Sequence, residues 1–152
     1  RTGVEWSNHW TPSRHWLVDL NLAWTRPRYN DGGLEGSYIA NAMTRVAHLN
    51  VAMHDMGLWS ASVGMRYVGA AALIEDNSVR SGSTLSTQLR INRRIDANLD
   101  VSLDVINLTN RTNNDISYYY ASQTSPSASS QQDVHVHPAE PRTFRMSARL
   151  RY

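Results

Sequence analysis

The chain contains no cysteine and no lysine, and each absence excludes a kind of site. Without cysteine, neither a disulfide framework nor a thiolate metal site can form. All fifteen basic residues are arginine, and thirteen acidic residues leave a formal net charge of only +2. So small an excess does not indicate a nucleic-acid partner. Charged residues make up 18% of the chain, below the roughly 25% of an average soluble domain.

Long apolar runs are missing too. No segment approaches the ~20 apolar residues that a membrane-spanning helix needs. The opening residues, Arg1–Trp6, show no signal peptide, so we expect the true start of the protein to lie upstream. Neither a phosphate-binding loop nor a nucleophile elbow is present. The sequence therefore predicts no enzyme and no cofactor.

The chain does contain a repeated alternation of apolar and polar residues. From Phe144 to Tyr152 every second residue is apolar, and three of the four between them are arginine. Because successive side chains of a strand point to opposite faces, this segment is predicted to form a strand with one apolar and one cationic face. Seven segments alternate in this way: Val4–Ser7, His15–Thr25, Arg45–His54, Trp59–Gly69, Thr84–Asn92, Leu99–Leu108 and Arg142–Tyr152.

The spacing of aromatic residues distinguishes two all-β architectures. Trp16 and Trp24 are eight residues apart on one apolar face, and so are Trp59 and Tyr67. Eight steps of ~3.4 Å, tilted by ~45°, rise about 19 Å and nearly span the ~25 Å apolar band of a transmembrane barrel. A soluble sandwich of the lectin type also alternates, but its core gives tryptophan no reason to mark both ends. We therefore predict a transmembrane barrel, with a soluble ligand-binding sandwich as the alternative.

The connections alternate in length, which indicates an antiparallel up-and-down meander. Outer-membrane barrels have short periplasmic turns and long extracellular loops, so Tyr152 is expected on the periplasmic side. Because single-chain bacterial barrels have an even number of strands, seven strands are interpreted as a C-terminal segment of a larger barrel. The short connections are predicted at Asn8–Arg14, Asp55–Leu58 and Arg94–Asn98, and the long ones at Pro27–Thr44, Ala70–Ser83 and Thr109–Pro141.

Six segments resemble the carbohydrate-receptor-like branch of the TonB-dependent outer-membrane receptors: Gly36–Ala42, Arg66–Gly69, Ile74–Ser81, Asp104–Asn110, Asn114–Ser122 and His137–Phe144. The resemblance implies that residues 1–152 are the C-terminal portion of a plugged barrel of about 22 strands in the bacterial outer membrane. It also implies import of a siderophore, cobalamin or an oligosaccharide, driven by TonB. The plug and the segment that contacts TonB are absent here, so these residues are not expected to transport alone.

The same resemblance implies further partners. The barrel should contact outer-membrane lipid, and TonB should act through the absent N-terminal region. Phe144, Leu150 and Tyr152 resemble the signal that the barrel-assembly machinery reads. An unpaired strand edge with apolar rungs is suited to such a contact.

Candidate ligand contacts lie in the longest connection. Tyr118, Tyr119 and Tyr120 are predicted to lie in a loop, where they either stack on a ligand's rings or pack the loop base. His135 and His137 are further candidates. If their segment is extended, both share a face with Asp133, and the three side chains either hold a divalent metal or are ordinary surface or lumen-facing residues. We predict ligand contact and no metal.

Charged residues on the polar faces are expected to line the barrel lumen. They form a track for an anionic ligand, ion pairs against the plug, or a solvated lumen wall. They are Arg66, Arg90, Asp100, Asp104, Arg145, Arg149 and Arg151.

Overall fold

A computed structural model describes residues 1–33, 35–123 and 125–152; Leu34 and Thr124, both in predicted connections, lie outside the described residues. Among those residues no helix is long and apolar enough to cross a membrane. Eleven strands form within the described ranges: β1 Thr2–Ser13, β2 Trp16–Arg26, β3 Arg28–Gly33, β4 Gly36–Tyr38, β5 Arg45–Met56, β6 Trp59–Val68, β7 Thr84–Arg94, β8 Leu99–Ile106, β9 Asn114–Ser122, β10 Gln131–Pro138 and β11 Thr143–Leu150.

Seven of these strands form one antiparallel sheet in the order β1-β2-β5-β6-β7-β8-β11. Each pairs with the next sheet strand in the chain, so the predicted up-and-down meander is confirmed. The sheet is open, and β1 and β11 are its edges. The pairs β3–β4 and β9–β10 form separate two-stranded ribbons within long connections.

The strand register gives the sheet one apolar and one polar face. Directly paired residues share a face, so each ladder can be assigned from its pairs. On the apolar face lie pairs such as Val18↔Val51, Val63↔Leu89 and Leu103↔Met146. On the other face lie pairs such as His9↔Asp19, His48↔Arg66 and Arg90↔Asp104. The two predicted surfaces therefore continue across the whole sheet.

Among the described residues, no second layer covers the apolar face. Trp24 is 50% exposed and Met146 is 76% exposed, although both lie on that face. A soluble sandwich would bury such side chains between two sheets. The sandwich alternative is therefore not favoured. Among the described residues, the buried hydrophobic side chains are Ala52, Ala71, Ala72, Leu73 and Val105.

The first strand is longer than predicted. We expected Val4–Ser7 to be a strand and Asn8–Arg14 a turn, but β1 continues to Ser13 and the turn lies at Arg14 and His15. Pro12 interrupts the sequence pattern, yet proline is tolerated on an edge strand because its missing donor is not needed there. An irregularity in the register between Trp10 and Ser13 accommodates it.

Two of the long connections contain strands that were not among the seven predicted, although residues 133–137 were considered as an extended segment. The ribbon β3–β4 lies within Pro27–Thr44, and the ribbon β9–β10 lies within Thr109–Pro141. The prediction of a loop at the three consecutive tyrosines was therefore wrong, because they belong to β9. Each strand of a ribbon pairs only with the other strand of that ribbon and is not part of the two-faced sheet, so its sequence is under weak pressure to alternate.

Candidate ligand-binding site

The longest connection is fastened to the sheet at its base by Asn107. This residue follows β8 directly and adopts a left-handed backbone conformation, with φ 51°. Its Nδ2 donates to the carbonyl oxygens of Arg111 at 2.9 Å and Glu140 at 3.2 Å. Its Oδ1 accepts from the backbone amide of Arg111 at 3.0 Å. One buried side chain therefore joins the two ends of the connection.

A second buried asparagine extends the sheet beyond β8. Asn113 Oδ1 accepts from the amide of Leu85 at 3.2 Å, and its Nδ2 donates to the carbonyl of Leu85 at 2.9 Å. This amide side chain thus makes the two hydrogen bonds that a neighbouring strand would make with β7. Beside it, the hydroxyls of Thr87 and Thr109 are 3.0 Å apart. The base of the β9–β10 ribbon is therefore fixed to the sheet.

These asparagines were not predicted as site residues. Asn107 belongs to Asp104–Asn110, one of the segments that resemble the receptor family. The resemblance marked this residue but gave no physical reason for it. Asn113 had no such signal. Asn113 binds the backbone of Leu85, and one of the three Asn107 hydrogen bonds reaches Glu140. These contacts join residues far apart in sequence, which no local pattern reports.

The β9–β10 ribbon places aromatic and imidazole side chains on one face. Tyr118 pairs with His135, and Tyr120 pairs with Asp133, so these residues share a face that also includes His137. The Tyr120 and His135 rings are stacked, with centroids 3.9 Å apart and planes at 18°. Tyr118 is 49% exposed and Tyr120 is 50% exposed, so about half of each side chain is available to a ligand.

Tyr119 does not belong to this surface. It pairs with Val134 on the opposite face of the ribbon and is half-buried. The structure therefore brings together Tyr118, Tyr120, His135 and His137, and separates Tyr119 from them. We name the first four residues the aromatic face.

The side chains considered for a metal lie on one side of the ribbon but do not converge; they are Asp133, His135 and His137. In the described part of the chain, no group of three histidine, aspartate or glutamate side chains is placed to hold a metal ion. Asp133 instead accepts a hydrogen bond from the amide of Val134 at 2.7 Å. The Nε2 atom of His135 is buried and has no hydrogen-bond partner within the described structure.

A polar cleft lies between the polar face of the sheet and the base of the connection. Its volume is about 340 Å³, and its polar lining includes His48, Arg66, Gln88, Asp115 and Glu140. A neighbouring pocket of about 260 Å³ is also lined by Arg66 and Asp115 and extends to Tyr118. The cleft therefore leads to the aromatic face.

Gly64 makes room for the side chain that crosses the floor of the cleft. A Cβ atom at this position would lie 2.8 Å from Nε2 and 2.9 Å from Cγ of Gln88. Both distances are shorter than real contacts allow. The glycine therefore permits Gln88 to lie across β6 and present its amide to the cleft.

Two other long connections pack together beside this cleft. The backbone amide of Tyr38 donates to the carbonyl oxygen of Glu75 at 3.0 Å. The backbone amide of Asn41 donates to the carbonyl oxygen of Ala72 at 2.8 Å. Asp76 closes a tight turn by accepting from the amide of Ser78 at 2.8 Å. That backbone hydrogen bond first, and the Ser78 hydroxyl second, lower the pKa of the Asp76 carboxyl.

The charged residues farther down the polar face form ion pairs within the sheet. Arg90 binds Asp104 with two hydrogen bonds, of 2.5 Å and 3.1 Å. The Oδ1 atom of Asp100 lies 3.8 Å from Nε of Arg94, and its Oδ2 atom accepts a hydrogen bond from Arg151. The register places Arg145 opposite Asp104 and Arg149 opposite Asp100. Both carboxylates are thus engaged, and five arginines surround two aspartates.

Comparison with known proteins gives structural relatives only. No protein-family model matches the sequence, and no curated protein matches it. The closed form of the ferric-catecholate import receptor Fiu from E. coli K12 is similar, with a TM-score of 0.73 and 21% identity. Its open form gives 0.65 and 20%. The siderophore receptor PiuA from Acinetobacter baumannii gives 0.67 and 13%.

These likenesses define the fold of the chain. They cover 96–97% of it but only 20–21% of each receptor, so the chain spans about a fifth of the length of the receptors it matches. The open meander has the fold of a segment of a TonB-dependent receptor barrel. The predicted fold class is confirmed.

Proposed function

We propose that this chain is part of the barrel of a TonB-dependent receptor in the bacterial outer membrane, and that the receptor imports a ferric siderophore. The observation that carries the proposal is the aromatic face at the mouth of a polar cleft, on a sheet whose other face is apolar. An apolar outer face would contact lipid, and the polar face would line the lumen. In this reading the chain acts in transport rather than catalysis.

A siderophore suits the chemistry of the site better than a purely neutral ligand does. Catecholate groups are planar aromatic rings, which stack on exposed tyrosines such as Tyr118 and Tyr120. Their ferric complexes are anionic, and Arg66 is placed to meet such a charge in both pockets, but Asp115 also lines both and Glu140 lines the first. The stacking surface rather than the net charge therefore supports the choice. The structural relatives are named as ferric-catecholate and siderophore receptors, which supports the same choice.

Tyr118→Ala is expected to weaken binding of a ferric catecholate to the complete receptor. Loss of one aromatic contact costs about 0.5–1.5 kcal/mol, which corresponds to roughly two- to twelvefold in Kd. Tyr119→Ala is the matched control, because it removes the same ring from the opposite face of the same strand. Equilibrium titration of the purified receptor measures both. Equal losses for the two variants would contradict the assignment of the aromatic face.

The proposal also sets the orientation of the sheet. The three longest connections leave the same end of the meander, and in outer-membrane barrels that end is extracellular. A peptide epitope inserted after Ser129, between β9 and β10, should be stained by antibody on intact cells. Staining only after permeabilisation would show that the orientation is reversed.

The proposal includes the partners that such a receptor requires. TonB and a plug would act through parts of the receptor outside this chain. Phe144 and Leu150 lie exposed on the apolar face of β11, whose outer edge is unpaired in the described structure. Together with Tyr152 they would offer a strand edge and apolar rungs to the barrel-assembly machinery.

A further inference from the structure

In the part of the chain that the structure describes, charged residues occur on the apolar face only at its two ends. Among the described paired positions of that face, arginine occurs at Arg26 and Arg45 near the long connections and at Arg93 near the short turns. The guanidinium of Arg93 lies 5.0 Å from the centre of the Trp59 ring, so it already has a partner. The end near the long connections is different, because no acidic residue among the described paired positions of the apolar face neutralises Arg26 and Arg45.

Arg26 and Arg45 lie next to each other around an exposed tryptophan. Trp24 pairs directly with Arg45, and Arg26 follows Trp24 by two residues on the same face. Such diagonal neighbours lie about 7–8 Å apart, within reach of long side chains. Both arginines are exposed, and within the described residues neither forms an ion pair.

A third arginine extends this cluster and is held in place. The guanidinium carbon of Arg28 lies 3.3 Å from the centre of the Tyr38 ring, and its Nη1 donates to Ser37 Oγ at 2.8 Å. Arg26 and Arg28 line a common pocket of about 470 Å³, whose described lining contains no acidic residue. The pocket is lined by Arg1, Thr2, Arg26, Arg28, Tyr29, Asn30 and Ser37.

We propose that Arg26, Arg28 and Arg45 bind a phosphate group of a phosphorylated membrane lipid at the long-connection rim of the sheet. Guanidinium groups match phosphate geometry and make paired hydrogen bonds to it. A lipid is favoured over a soluble phosphate because exposed Trp24 and Leu22 continue the same face below the arginines. The acyl chains would cover that apolar surface while the phosphate meets the cations above it. This inference rests on the proposed membrane barrel.

The test uses the complete receptor in phosphatidylcholine nanodiscs and bisphosphorylated lipid A as the probe. Native mass spectrometry across a lipid A titration gives the apparent Kd. The double variant Arg26→Gln/Arg45→Gln is expected to bind about thirtyfold more weakly, because each arginine near an anionic headgroup contributes about fivefold. Arg93→Gln should stay within about twofold of the wild type, since it changes an arginine of the same face at the opposite rim. Dephosphorylated lipid A should show no difference between wild type and double variant.

The outcomes separate the two proposals. Incorporation into nanodiscs with equal lipid A affinity in wild type and double variant overturns the phosphate site and leaves the membrane barrel standing. Equal weakening in Arg93→Gln overturns it as well, because the effect would then be general surface charge. Failure of the wild-type receptor to enter a bilayer overturns the barrel and the site together. Arg26→Lys/Arg45→Lys keeps the charge but loses the paired hydrogen bonds, so its affinity should fall between those of the wild type and the glutamine variant. Affinity no better than that of the glutamine variant would show that the charges at these positions do not bind the phosphate.

Discussion

Leu103→Arg is expected to lower the amount of assembled receptor far more than Ser102→Arg. Leu103 lies midway along β8 on the apolar face, where it pairs with Ile91 and Met146. Arginine facing lipid near the bilayer midplane costs roughly 2–4 kcal/mol, because its charge leaves water without a partner. An effect of that size is a large fraction of the net stability of a folded protein.

The neighbouring serine is the matched control. Ser102 pairs with Asn92 and Ser147 on the polar face, so a new arginine there meets polar groups instead of lipid. The same substitution one residue away therefore reports on the face alone. Immunoblotting of isolated outer membranes measures both variants against the wild type. Equal amounts of the two variants would show that the apolar face does not meet lipid.

Most of the sheet could be predicted because its two faces lie in different surroundings. A one-residue slip would move every apolar side chain to the wrong face, so the alternation is strict in the interior strands. The edge strand β1 was predicted too short, because Asn8 and Pro12 break the alternation. One side of this strand has no partner strand, so the break is tolerated there. The strands of the two ribbons were not predicted because they lie outside the sheet and do not separate its apolar and polar faces.

The candidate site could be predicted only in its residue types. Tyrosine and histidine were predicted as ligand contacts, but the register between β9 and β10 decides that Tyr118 and Tyr120 share a face and that Tyr119 does not. No local pattern gives that register. The cleft residues His48 and Gln88 were not predicted either, because their role depends on a connection that folds back over the sheet.

Asn107→Ala is expected to loosen the β9–β10 ribbon while the sheet stays folded. The substitution removes three hydrogen bonds of a buried side chain, each worth about 0.5–1.5 kcal/mol, so local opening should become easier by about 2–4 kcal/mol. Asn110→Ala is the control, because Asn110 has a similar left-handed φ of 53° and only its backbone is hydrogen-bonded in the described structure. Asn110→Ala should cost only the backbone strain of about 1 kcal/mol.

Hydrogen exchange of the β9 and β10 amides in the complete receptor measures the effect of both substitutions. Similar protection in the two variants would show that the Asn107 side chain does not hold the connection. Faster exchange in Asn107→Ala alone, with weaker ferric catecholate binding, would show that this side chain holds the aromatic face in place over the cleft.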